Sequence, residues 1–368
     1  MKKVLYIIVM LVLTVGCQRV FEPEITEVDP FLVIEGRIST ETGKQYIFLH
    51  NSAGYREYPI FRGVPGALVR IEDAEGNITP FIDKGTGTYE YDFSEDDHPE
   101  VGDTYTLKIT SSEGDEYAST PQTIVPSPTI SSMFCNYELS SFLTEDAYGA
   151  PVEQVFDGID IIHETIGLLP SNNMYIYDYM AYEQHRSTVK MDSNAINSYN
   201  IYRHRRLSYK YANIIHAVNA DEFGQNRVRN EKLMFISRFD MVNYNPVVPD
   251  TFMVLNTFFE GLLFKLKQYS LSADAYNYYA LVEDQLEAEG RMFDPASPQV
   301  TGNITCITDS SKTVVGVFSA CDVAVRYNYF HVNSRGLTDS RKLDGFPELW
   351  LDTCSWRKPD TWIRPPFY

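Results

Sequence analysis

Short runs of alternating apolar and polar residues dominate the chain from Phe31 to about residue 125. In the clearest run Tyr105, Leu107 and Ile109 occupy every second position, which places their side chains on one face of a β-strand. Glycine-containing turns separate the runs, as at residues 73–76. About seven short strands at this spacing predict a β-sandwich of the immunoglobulin-like kind. We assign this domain to residues 31–126.

A proline-containing linker around residues 126–128 precedes a larger second domain, which we assign to residues 129–368. Two alternating runs on either side of Gly261 predict a hairpin there. One segment has helical character, because Ser272 can cap its start and Gly290 can end it. Its apolar stripe consists of Ala275, Tyr278, Tyr279, Val282 and Leu286. The predicted fold class is therefore mainly β with some α: an immunoglobulin-like sandwich followed by a larger β-rich α+β domain.

The first seventeen residues have the layout of a secretory signal peptide. Lys2 and Lys3 precede an apolar run at residues 4–13, and Gly16 stands directly before Cys17. The run has about ten residues, whereas a spanning helix needs roughly 20. We therefore predict that residues 1–16 are cleaved and that Cys17 carries a diacylglycerol. Residues 17–30 then form a lipidated tether. The alternative is an ordinary signal peptide followed by an incidental cysteine.

Charge and cysteine content limit the classes of partner. The formal net charge of −19 disfavours binding to nucleic acid and to anionic lipid surfaces. Four cysteines follow Cys17, and an exported chain meets an oxidising environment in which they can pair in three ways. They contain no C-x-x-C motif, so a zinc ribbon is not supported. These four residues are Cys135, Cys306, Cys321 and Cys354.

Motifs that carry chemistry are incomplete in this chain. His163 and Glu164 begin the metalloprotease signature H-E-x-x-H, but Gly167 stands where the second histidine is required. No G-x-S-x-G nucleophile elbow occurs, and the acidic run at residues 95–97 lacks the spacing of an EF-hand loop. We therefore expect a protein that is not an enzyme and that uses no cofactor or metal. A hydrolase is the least supported alternative.

Several separated motifs occur together with Cys17 in a fixed order along the chain. They are Leu32–Gly36, Val64–Val69, Gly85–Tyr89, Tyr105–Leu107, Gly302–Ile304, Val315–Phe318 and Lys358–Asp360. The series resembles the Bacteroidetes lipoprotein family named domain of unknown function 4249, over nearly the whole chain after Cys17. The family's usual Gly-Tyr-Phe is replaced here by Gly316-Val317-Phe318. The resemblance implies a two-domain lipoprotein that is often encoded beside TonB-dependent outer-membrane transporters, and it supplies no catalytic residue.

The sequence and the resemblance together predict a lipoprotein anchored in the outer membrane, at the cell surface or on its periplasmic face. Its expected role is that of a non-catalytic binding or accessory subunit associated with a TonB-dependent transporter. The alternative is a structural or adhesive surface lipoprotein that binds a glycan or a protein. The resemblance also favours a disulfide between Cys306 and Cys354, which lie in segments similar to the family's core and tail.

A stretch that mixes aromatic and basic residues is the candidate partner-binding patch. Aromatic and arginine side chains dominate binding hot spots, so we expect a partner to contact Tyr202, Arg203, Arg205 and Tyr209. In the competing interpretation the tyrosines face the core and the arginines remain solvated.

Overall fold

The computed structural model describes residues 30–52, 62–145, 150–166, 173–190, 198–206, 217–220, 227–237, 253–287, 300–333 and 336–343. These residues form a β-rich fold with one described helix, which confirms the predicted fold class. The finer assignment of an immunoglobulin-like topology is not confirmed.

The strands follow in chain order with the helix between the sixteenth and seventeenth. They are β1 (Leu32–Ser39), β2 (Gly43–Asn51), β3 (Arg62–Gly63), β4 (Leu68–Asp73), β5 (Ile78–Asp83), β6 (Thr88–Phe93), β7 (Thr104–Thr110), β8 (Glu116–Ser119), β9 (Gln122–Thr123), β10 (Ile130–Glu145), β11 (Pro151–Ile166), β12 (Met174–Lys190), β13 (Ser198–Arg206), β14 (Ala217–Asn219), β15 (Arg227–Ser237), β16 (Met253–Ser270), α1 (Ala273–Glu287), β17 (Ile304–Cys306), β18 (Val314–Cys321), β19 (Val323–Asn333) and β20 (Gly336–Leu343).

The first sheet has eleven strands, nine of them in the order β17-β8-β7-β4-β5-β6-β2-β1-β18, with β3 paired to β2 and β9 to β7. β5 connects the two halves of this sheet, one ending in β4 and the other beginning with β6. It pairs with β4 through Phe81 and with β6 through Ile82. Side chains from both halves pack into one core, including Ile34 and Ile47 from one half and Leu107 from the other. The sheet therefore folds over on itself and encloses this core.

Two strands of the first sheet come from the far end of the chain. β18 pairs in parallel with β1 along its whole length, from Leu32 opposite Val314 to Ser39 opposite Cys321, and β17 pairs with β8. The assignment of residues 129–368 to the second domain included these strands, but hydrogen bonding places residues 304–321 in the first sheet. Parallel strands need a crossover connection, and here the connection contains the other strands of the first sheet and β10 to β16 of the second unit.

Glycines allow this return segment to approach the first sheet closely. Gly316 has a φ of 144°, and a Cβ there would lie 1.8 Å from the carbonyl oxygen of Ile34. A Cβ on Gly302 would lie 1.4 Å from the carbonyl oxygen of Gly316. The Asn303 amide donates to the Phe318 carbonyl at 2.8 Å and accepts from the Phe318 N–H at 2.9 Å. The motifs Gly302–Ile304 and Val315–Phe318, which contribute to the family resemblance, therefore contact each other. Their role is structural, because they fit β18 into the first sheet.

The second unit consists of two sheets around a shared core. One sheet has the order β10-β11-β15, and the other has the order β13-β12-β16-β19-β20 with β14 paired to β12. The predicted hairpin at Gly261 is wrong, because β16 runs through this residue without turning. A Cβ on Gly261 would lie 2.4 Å from the hydroxyl oxygen of Tyr329. The glycine therefore permits close approach of β19 instead of forming a turn.

Helix α1 starts as the sequence predicts. The Ser272 hydroxyl accepts a hydrogen bond from the N–H of Ala275 at 3.2 Å, which satisfies one of the free N–H groups of the first turn. Ala275 and Tyr279 are buried in a cluster that includes residues of β18. Leu286 is exposed, so the apolar stripe stops being a packing surface before the helix ends. Gly290, the predicted end, lies outside the described residues.

Asp322 connects the two units as the single residue between β18 and β19. Its carboxylate accepts a hydrogen bond from the Thr40 hydroxyl and another from the Ser127 N–H, both at 2.7 Å. Its own N–H donates to the Ser270 hydroxyl at 3.0 Å. One side chain and its backbone thus fasten the end of β1, the linker and the end of β16 together.

Charged and aromatic groups complete this junction. The Arg37 guanidinium lies 4.0 Å from the centre of the Tyr269 ring, and Lys267 forms a 2.5 Å ion pair with Glu41. Burial raises the pKa of the Tyr269 phenol, and Arg37 partly opposes this. Burial lowers the pKa of Lys267, but Tyr269 and Glu41 outweigh it, so the pKa lies above its ordinary value. Lys267 therefore remains charged at neutral pH and holds the ion pair.

We predict that Gly316→Ala destabilises the whole chain far more than Gly43→Ala. Both glycines have left-handed backbone angles, with φ of 144° and 95°, but only at Gly316 does a new Cβ meet backbone, since nothing lies within 4 Å at Gly43. Both variants incur backbone strain of about 1–3 kcal/mol, and the collision adds about 2 kcal/mol or more at Gly316. Urea unfolding of both variants measures the difference. Equal losses of stability would contradict the close approach of β18 to β1.

Candidate functional site

The residues predicted to carry lipid or disulfide bonds are only partly described by the structure. Cys17 and Cys354 lie outside the described residues. Cys306 is a buried free thiol whose Sγ lies 3.5 Å from the Thr308 hydroxyl; the disulfide with Cys354 stays a prediction. Cys321 is also a buried free thiol, and burial raises its pKa to about 11. It is therefore protonated at neutral pH and is a poor nucleophile.

Three residues of the predicted partner patch belong to β13, at the edge of the larger sheet of the second unit. Arg203 pairs with His185, and Tyr202 pairs with Arg186. Arg205 is two positions along the same strand from Arg203 and pairs with Glu183. Tyr209 lies outside the described residues. Partner binding at this patch therefore stays a prediction.

The hairpin of β10 and β11 extends beyond its own sheet. The two strands pair from Ile130 opposite Thr165 to Glu145 opposite Pro151, but within the described residues β15 accompanies β11 only as far as Gly158. A Cβ on Gly158 would lie 2.2 Å from the Ile236 carbonyl oxygen, so the third strand passes very close at this point. We name residues 136–145 and 150–157 the distal hairpin. At about 3.3 Å per residue it extends roughly 30 Å.

The distal hairpin carries apolar side chains that face solvent. Leu139 and Val155 are each 64% exposed. The β10–β11 register puts them on the face that carries Met133, Ile159 and Ile161 farther along the same hairpin, and those three are buried in the core. The hairpin face that packs in the core therefore continues along the distal hairpin as a solvent-exposed apolar face. A two-stranded ribbon is marginally stable alone in water, and exposed apolar surface of this kind is typical of a protein contact.

The charge of the distal hairpin has a single sign. Residues 136–157 contain five acidic residues and no lysine or arginine. Glu138 and Glu153 are exposed beside the apolar positions. The surface therefore complements a partner that presents basic residues around an apolar patch. The sequence analysis missed this surface, although the absence of basic residues over this long a stretch was a usable signal.

The residues that suggested a metalloprotease have strand geometry. His163 is fully buried on β11, and its ring lies 4.4 Å from the Tyr177 ring. Its neighbour Glu164 accepts a hydrogen bond from the Ser132 hydroxyl at 2.8 Å. Burial, reinforced by Glu231, raises the pKa of the Tyr177 phenol well above its ordinary value. His163 and Tyr177 therefore pack in the interior between the two sheets.

The described residues contain neither a cluster of metal-ligating side chains nor a membrane-spanning helix. Across the described ranges, no three His, Cys, Asp or Glu side chains are grouped so that they could hold a metal ion. Nor does that part of the chain include a helix with the length and apolar character needed to cross a bilayer.

Comparison with known proteins identifies a family. No curated protein and no solved structure matches the chain. The family model described as "Domain of unknown function (DUF4249)" matches residues 18–326, which covers the first sheet, its return strands and most of the second unit. The chain therefore belongs to the DUF4249 family.

Proposed function

We propose that this chain is a Bacteroidetes-type lipoprotein, acylated on Cys17 and anchored in the outer membrane. In this proposal it acts without catalysis as a binding or accessory subunit of a TonB-dependent outer-membrane transporter. The observation that carries the proposal is the distal hairpin, in which Leu139 and Val155 continue the core face into solvent. The resemblance of the sequence to lipoproteins encoded beside such transporters supports the choice of partner.

The energetics favour a protein contact at the distal hairpin. Full burial of a leucine or valine side chain contributes about 1.5–3 kcal/mol. Because each of these side chains is 64% exposed, covering both would contribute about 2–4 kcal/mol. That equals a gain of roughly 30- to 1,000-fold in affinity. The acidic residues around them would speed the encounter with a basic surface.

The tether has the composition required for this arrangement. Residues 17–30 include four acidic residues and two prolines, which favours an extended segment. A chain of about 14 residues reaches at most roughly 50 Å. The folded units could therefore stand clear of the lipid surface while they remain attached to a transporter in the same membrane.

The anchor is tested by Cys17→Ser. We expect this variant to lose labelling by a fatty-acid probe and to move from the membrane fraction to the soluble fraction, because only Cys17 follows a signal-peptide pattern. Cys306→Ser provides the matched control and should remain labelled. Labelling that persists in Cys17→Ser would contradict lipid attachment at this residue.

The transporter contact is tested by co-purification of the full-length protein from its native membranes in mild detergent. We expect a TonB-dependent transporter to be recovered with the wild type. The double variant Leu139→Asp with Val155→Asp should recover at least tenfold less, because charge replaces the apolar contact. Ile78→Asp alters a comparably exposed residue of the first sheet and should leave recovery unchanged.

Two results would contradict the proposed contact. One is the absence of any transporter from the wild-type eluate, and the other is full recovery with the double variant. The same assay on Arg203→Glu with Arg205→Glu measures how far the contact extends along β13. A fall in recovery at an unchanged melting temperature would show that the transporter contact includes β13. Unchanged recovery would show that the contact is confined to the distal hairpin.

A further inference from the structure

The first sheet presents two aromatic rings to solvent on the face opposite its core. Tyr46 and Phe48 occupy alternate positions of β2 and are 38% and 41% exposed. Their ring centres lie 6.1 Å apart, and their planes are only 19° from parallel. The two large aromatic side chains therefore stack against each other as one exposed aromatic cluster, which we call the aromatic platform.

The strand that carries the aromatic platform is held firmly. The alternate residues Ile47 and Leu49 are buried in the core of the first sheet. β2 pairs with β1 on one side and with β6 on the other. Residues 46–49 are thus four consecutive large apolar residues, of which the core uses only two. Folding explains Ile47 and Leu49 and leaves the two exposed rings without a packing role.

Polar groups border the rings on both neighbouring strands. Glu35 of β1 and Thr88 of β6 lie directly opposite Phe48, and Glu90 of β6 lies opposite Tyr46. Lys44 bonds the Glu90 carboxylate at 3.1 Å. This hydrogen bond lowers the pKa of Glu90, so the group remains an ionised acceptor at neutral pH. The aromatic platform therefore lies between donors and acceptors.

We propose that the aromatic platform is a binding site for a neutral polysaccharide. The apolar C–H faces of two neighbouring sugar rings would stack on Tyr46 and Phe48, and their hydroxyl groups would bond Glu35, Thr88 and the Glu90–Lys44 pair. Aromatic side chains combine a large apolar face with tolerance of polar surroundings, which suits such a ligand.

The pattern of charges favours a saccharide over other occupants. An apolar protein surface would remove water from Glu35 and Glu90 without supplying hydrogen-bond donors, which is costly for carboxylates. Lys44 and Lys84 both pair with Glu90, so acidic and basic groups near the rings balance and a strongly charged ligand of either sign gains little there. A neutral saccharide instead replaces the lost water with its own hydroxyl groups. This site lies on the first unit and is independent of the proposed transporter contact.

Affinity gel electrophoresis of the full-length protein in mild detergent tests the site. The probes are hydroxyethyl cellulose, soluble starch, galactomannan and dextran, each cast into a native gel. We expect at least one of them to retard the wild type. Tyr46→Thr and Phe48→Thr should each weaken that retardation at least fivefold, because threonine retains strand propensity but lacks a ring.

Control variants separate stacking from a general surface effect. Phe48→Tyr keeps a ring at the same position and should retain binding. Ile78→Thr replaces an exposed apolar residue elsewhere on the first sheet and should also retain it. Retardation by none of the four polysaccharides, or retardation that persists in both threonine variants, would overturn the proposal. Circular dichroism of each variant verifies that it is folded.

Discussion

The parallel pairing of β1 with β18 is the constraint on which the rest of the structure depends. It joins residues 32–39 to residues 314–321, and most of the second unit, from β10 to β16, lies between them in the chain. Two of the three connections between the units come together at Asp322, which bonds Thr40 of the first unit and Ser127 of the linker. Forming a contact between residues so far apart in the chain has an entropic cost of loop closure, and favourable interactions at the contact must offset this cost. The glycines and the Asn303 amide that fit β18 into place are therefore central to the fold.

This arrangement separates the two surfaces to which we assign binding roles. The junction of Asp322, Arg37 and Lys267 fixes the start of the second unit against the first. The distal hairpin then leads away from that junction, because β10 starts at the linker and the paired strands extend past the end of β15. The aromatic platform remains on the first sheet, where β2 is paired on both sides. Each surface can thus be altered by mutation without touching the junction.

Local sequence patterns predicted those parts of the fold that local interactions determine. The alternation at Tyr105, Leu107 and Ile109 corresponds to β7, and the serine cap corresponds to the start of α1. The same reasoning failed at Gly261 and at residues 304–321, because the role of a glycine or a short strand depends on a partner far away in the chain. Gly261 serves the approach of β19, and Gly316 serves the approach of β1. The exposure of Leu139 and Val155 was equally hidden, since an alternating pattern does not show where a third strand stops.

Hydrogen–deuterium exchange of the full-length protein, followed by mass spectrometry at increasing denaturant, tests the pairing of β1 with β18 most directly. If β18 returns from the second unit to pair with β1 in the first sheet, peptides from residues 32–39 and 314–321 will be protected to the same degree. They will then lose protection in one cooperative step. Rapid exchange of residues 314–321 while residues 32–39 remain protected would contradict the account.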